Sequence, residues 1–112
     1  MFQKQNDSGY HNALEGIEQK TLVYGAKTLM TEFLLRKGSV LPCHSHPHEQ
    51  TGYLVKGYIR LSIGSDQYEV QAGDSWCIPA DVEHGAEIIQ DSVAIEVFSP
   101  VRTDYLPKET EH

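Results

Sequence analysis

Gly38-Ser39-Val40-Leu41-Pro42-Cys43-His44-Ser45-His46-Pro47-His48-Glu49-Gln50-Thr51-Gly52 places three of the chain's six histidines within five residues. On extended backbone, side chains at i and i+2 share a face, so His44 and His46 aim their imidazoles at one point while Cys43 faces away. Neutral imidazole is a common ligand for Zn, Fe, Ni and Cu, and an acceptor a few residues on, Gln50 or Glu49, closes such a site. The pair reads as a two-toothed metal claw on a strand. His48 continues the alternation and Glu49 adjoins Gln50, so either is an alternative ligand if the chain bends early at Pro47.

Outward from this stretch, from about residue 21, apolar residues recur with period two, and turn residues interrupt them every eight to twelve positions. That pattern marks an all-β sandwich or barrel. In 58–63, Ile59, Leu61 and Ile63 fall on one face and Arg60 and Ser62 on the other, so one side packs and the other is wet. Gly64-Ser65-Asp66 reads as a hairpin turn into strand 67–71, and Ala72-Gly73-Asp74 as a turn before strand 75–78. Residues 27–35 and 50–55 are further strands, the second ended by Gly57. In 92–99, Val93, Ile95 and Val97 share one face while Ala94, Glu96 and Phe98 share the other. If one face lines a barrel, the other needs a cover, and a homodimer is the expected source. Residues 12–20 are read as one short helical turn, weakened by Gly16.

A chain of 112 residues has room for one domain, taken as 1–112, with one function. Sixteen acidic against nine basic residues give a formal charge of −7, and no stretch gathers Lys and Arg on one face. Nucleic acid and anionic membrane surfaces are therefore excluded as main partners. No apolar run approaches the roughly 20 residues of a membrane span, and the first residues lack the apolar segment of a secretory signal, so a cytoplasmic address is expected. Cys43 and Cys77 lie 34 positions apart and are read as two buried thiols acting as small hydrophobes. The polar tail after Pro107, 107–112, is expected to be loose.

The histidine stretch resembles the first motif of the cupin superfamily: Gly, five residues, His–x–His, three or four residues, Glu, six residues, Gly. Gly38, His44, His46, Gln50 and Gly57 fit it with Gln in place of Glu. The second motif, Gly, five residues, Pro–x–Gly, two residues, His, three residues, Asn, finds Gly73, Pro79 and His84 in register, with departures at Asp81 and Ile88. Motif one spans 38–57 and motif two 73–88. Fifteen residues separate Gly57 from Gly73, a short spacing similar to that of compact microbial cupins. The resemblance implies an all-β cupin fold, a double-stranded β-helix or jelly-roll barrel. It also implies one divalent transition metal, Zn, Ni, Mn or Fe, held by His44, His46, Gln50 and His84. Asp81 still permits positive φ, because Asp visits that region more readily than most residues. Gln50 brings no charge, so the ion keeps its full +2 and becomes a stronger Lewis acid, which favours substrate polarisation over oxygen activation.

Glu96, Phe98 and Arg102 form a second constellation. Glu96 and Phe98 share a strand face, and Pro100 ends the ladder and turns Arg102 toward a barrel mouth. A carboxylate inside a metal-bearing barrel suits general acid or base work, and a rim arginine suits a carboxylated substrate. The structural alternative is a Glu96–Arg102 ion pair. This tail, the His–x–His–Pro–His–Glu–Gln segment and the length look like small cupins of the pectin degradation protein KdgF type. Members of that type ketonise 4,5-unsaturated monouronates, and Glu96, Phe98 and Arg102 match its acidic, aromatic and arginine positions, the acid usually being Asp. The resemblance implies a metal-dependent, non-redox isomerase of sugar acid metabolism. Glu96 and Arg102 would be catalytic, and Phe98, Arg102 and Tyr53 would bind a small carboxylated substrate. Trp76 either shapes the pocket or packs. The alternatives are an Fe(II)-dependent cupin dioxygenase and a non-catalytic small-molecule-binding cupin.

Overall fold

The computed structural model describes residues 1–107. Its strands are β1 (His11–Leu14), β2 (Ile17–Tyr24), β3 (Leu29–Leu35), β4 (Val40–His44), β5 (Glu49–Ile63), β6 (Asp66–Gln71), β7 (Ser75–Ile78) and β8 (His84–Ser99). A 3₁₀ turn, Thr103–Tyr105, follows. The long strands β5 and β8 pair antiparallel from Glu49 opposite Ser99 to Ile63 opposite His84. Their register breaks around Lys56 and Tyr58, so the ribbon bends midway.

Each half of that ribbon recruits its own neighbours. The first half of β5 pairs with β7, and the second half of β8 pairs with β3, which carries β2 and then β1. The second half of β5 pairs with β6, and the first half of β8 pairs with β4. The two halves close on a shared core of Leu54, Ile59, Leu61, Val70, Ile88 and Ala94, drawn from both. Alternation supplies that core: Leu54 and Ala94 face in while Val55 and Ile95 face out. The result is an all-β barrel, as the period-two pattern predicts, of the jelly-roll kind that the cupin resemblance implies.

Three expectations need correction. Residues 12–20 form no helical turn; they make the β1–β2 hairpin, because β2 pairs with β3 and buries Ile17 and Gln19 on its inner side. Gly57 does not end a strand but lies within β5 at φ +104, where an added Cβ would meet the Asp91 carbonyl oxygen at 2.6 Å. Only glycine permits that approach, so the position bends the strand rather than stopping it. Cys43 and Cys77 are free and exposed, not buried. Both sit on short strands at outward positions, with the inward alternates taken by Trp76 and Ile78 beside Cys77.

Asp81 adopts φ +66, as its tolerance of that region allows. On the outer side of β8, Val93, Ile95 and Val97 are half-buried beside the exposed Tyr53 and Val55 of β5. Among the described residues no helix is long and apolar enough to cross a membrane. All of the tail expected to be loose except Pro107 lies outside the described residues.

Candidate metal centre

His44 ends β4 directly opposite His84, the first residue of β8. The strands approach closely there because Gly85 has no side chain: a Cβ on it would lie 2.8 Å from the Leu41 carbonyl oxygen. His46 follows in the β4–β5 connection, and its carbonyl accepts a hydrogen bond from the Asp81 N–H at 2.8 Å. That bond ties the segment carrying His44 and His46 to the segment leading into His84. One nitrogen from each of the three rings lies within 4.8 Å of the others.

Backbone carbonyls set the ring orientations. His44 Nδ1 lies 3.0 Å from the Pro42 oxygen, His46 Nδ1 3.1 Å from the His48 oxygen, and His84 Nδ1 2.9 Å from the Val82 oxygen. A carbonyl only accepts, so each Nδ1 carries a proton, which leaves Nε2 as the nitrogen each ring can offer to a metal. Such outer bonds are what metal-binding imidazoles require. Burial lowers the pKa of both His46 and His84, with Arg102 adding to the effect at His46, and this favours the neutral, ligating ring. The donor set therefore fits a divalent transition ion.

Gln50 is buried on β5 and faces the same point, its Oε1 lying 3.0 Å from His46 Nε2. Its Nε2 donates to Glu96 Oε1. Glu49 is exposed, one alternation out of phase, and His48 lies outside the three-ring cluster with its Nδ1 buried and unpartnered. His48 contributes through its backbone, which accepts the bond from His46.

Glu96, Phe98 and Arg102 line the same cavity as the three histidines and Gln50. Burial raises the Glu96 pKa, while hydrogen bonds from Gln50 and Trp76 and the Arg102 charge oppose that rise. Glu96 and Arg102 do not pair. Arg102 instead bonds Asp104, Nη2 to Oδ2 at 2.7 Å and Nε to Oδ1 at 3.2 Å. Its guanidinium lies 4.0 Å from the Tyr105 ring centroid and 5.1 Å from that of Phe98, a stacked position that holds it over the mouth.

Tyr53 does not join them. It is 49% exposed on the outer side of β5, because the alternation that turns Gln50, Gly52 and Leu54 inward turns residue 53 outward. The sequence reading missed Tyr105 and Asp104; the spacing Arg–x–Asp–Tyr was the available signal. Trp76 lines the cavity, and its Nε1 donates to Glu96 Oε1 at 3.0 Å.

Known proteins resemble the chain in sequence and fold. The chain is 28% identical over 94 residues to the pectin degradation protein KdgF of Dickeya dadantii (strain 3937), spanning 82% of this chain and 86% of that protein. The structure of KdgF from Halomonas sp. superposes with a TM-score of 0.89 at 27% identity, covering 95% of this chain and 98% of that one. An RmlC-like cupin from Shewanella frigidimarina NCIMB 400 gives 0.88 at 26% identity, covering 94% and 95%. Residues 31–99, more than half of the chain, match the cupin domain family, Cupin_2. The chain belongs to the cupin family.

Proposed function

We propose that this cupin is a metal-dependent, non-redox isomerase that ketonises a small unsaturated sugar acid, acting in the cytoplasm as a homodimer. The observation that carries the reading is the convergence of three imidazoles, a buried carboxyl and a rim arginine on one cavity. Similarity over most of the chain to a protein named for pectin degradation supports the substrate class. The homodimer rests on the apolar outer row of β8.

A divalent ion held by His44, His46, His84 and Gln50 would supply Lewis acidity at the cavity floor. Arg102, stacked on two rings, donates hydrogen bonds to the substrate carboxylate and fixes its orientation. Glu96, with its pKa raised by burial, holds or releases a proton beside the reacting carbons. Phe98 packs edge-on against the His46 ring at 5.8 Å between centroids and keeps water from the floor.

The test is incubation of metal-loaded protein with 4,5-unsaturated monouronates, following loss of their ultraviolet absorbance. The expected result is loss well above that with metal-free protein. A rate no faster than metal-free protein or buffer removes the reading. Sedimentation at the mass of a single chain would remove the homodimer alone.

A further inference from the structure

We propose that Trp76 and Gly52 are positioning residues for Glu96: an indole hydrogen bond passing over Gly52 fixes Oε1 and leaves Oε2 as the oxygen presented to substrate. This inference rests on the proton-transfer role given to Glu96 above. Trp76 on β7, Gly52 on β5 and Glu96 on β8 are register neighbours in one row across three strands. Residues flanking the same central position are two strands apart, so side chains on them do not ordinarily touch. Here they do, with Trp76 Nε1 lying 3.0 Å from Glu96 Oε1.

The bond exists because the middle residue has no side chain. A Cβ on Gly52 would lie 2.2 Å from Trp76 Cε2 and 2.3 Å from Nε1, inside the indole itself. Glycine within a strand weakens it, and a close approach is the usual reason for its presence. If Trp76 were only filling space, its nitrogen could face any direction, and a residue without an N–H would serve as well. Its nitrogen instead faces the one inward carboxyl on β8.

The two donors on Glu96 act differently. Gln50 Nε2 also reaches Oε1, but Gln50 spends its own oxygen on the histidine cluster. Trp76 has no second polar duty, since an indole N–H only donates. With both donors on Oε1, that oxygen is the poorer site for a proton. Among the described residues Oε2 accepts no hydrogen bond, and Glu96 lines the cavity. The fixed oxygen sets the plane of the carboxyl, and the free one does the work.

The test uses the full chain, in which Trp76 is the sole tryptophan and gives one indole N–H resonance in a ¹H–¹⁵N spectrum. Glu96→Gln should move that resonance, because a neutral amide oxygen is a weaker acceptor than a carboxylate. An unmoved resonance shows there is no bond and overturns the proposal. Trp76→Phe should bind metal as the wild type does and lower kcat by roughly tenfold or more, the worth of one hydrogen bond to a charged group, with KM nearly constant. Gly52→Ala should do the same, and the double variant should be no worse than either single one, since both act through one contact. If Gly52→Ala does not fold, Trp76→Phe decides. A moved resonance with unchanged kcat in Trp76→Phe overturns the positioning role. Full turnover in Glu96→Gln, or none in the wild type, removes the underlying reading of Glu96 and the positioning role with it; the resonance still answers whether the bond exists.

Discussion

Gln50 stands at the junction between the metal centre and the proton-transfer group, its oxygen toward His46 and its nitrogen on Glu96. A carboxylate at this position would serve the metal better and Glu96 worse. Two carboxyls in contact cannot both ionise, so a single proton is shared between them in place of the amide N–H that now donates to Oε1, and Glu96 no longer titrates on its own. Gln50→Glu is expected to tighten metal binding in calorimetry and to lower kcat by about a hundredfold, the lower range of what acid–base groups contribute. Unchanged turnover would show that the amide nitrogen has no part in the chemistry. Far from the cavity, Tyr10 donates its hydroxyl to Glu32, and this bond pushes the phenol from 10.0 up to about 12. A raised folded pKa means that the bond's contribution to stability is fully present below the unfolded value and is lost as pH rises through the folded one. The urea midpoints of wild type and Tyr10→Phe should therefore differ at pH 8 and converge toward pH 12. Tyrosinate absorbance should lose a step near pH 12 in the variant, and an unchanged titration would contradict this assignment.

At the scale of strands, β5 and β8 show what alternation reveals and what it hides. Ile59, Leu61 and Ile63 announced their strand because side-chain parity is local, and the β5–β6 turn at Gly64-Ser65 was legible for the same reason. Continuity through Gly57 was not legible, since a glycine that ends a strand and one that bends it look alike until the partner strand is known. Gly57→Ala should destabilise the protein by about 2 kcal/mol or more, combining the cost of positive φ with a clash against Asp91 and Ser92. Denaturant melts check this, and a loss under half that size would mean the bend can relax. The β1–β2 hairpin escaped because the three-residue spacing of Leu14 and Ile17 reads as a helical turn, and only their pairing across the hairpin and that of β2 with β3 shows otherwise. In the site, His44, His46 and His84 were legible from motif spacing. Tyr53 was misassigned although parity with Gln50 already pointed it outward. The Trp76–Gly52–Glu96 row could not be read, because cross-strand register is set by the whole sheet and not by neighbours in sequence.

Across the whole molecule, the three histidines join two parts of the chain that are far apart in sequence: the end of β4 with the connection that follows it, and the start of β8. An ion bound there links both halves of the bent β5–β8 ribbon, so its binding energy becomes energy of the entire fold. The unfolded chain retains only the adjacent pair His44 and His46, and its affinity for the ion is correspondingly weak. A ligand that binds only the folded state at a thousand times its dissociation constant stabilises it by about 4 kcal/mol. For a chain of this length that corresponds to a rise of order ten degrees or more in Tm. Chelation should reverse the rise, and His84→Ala should show little of it, because it loses the one ligand that joins β8 to the pair. A His84→Ala protein that gained as much as the wild type would mean that the ion sits on the His44–His46 segment alone and does not close the barrel.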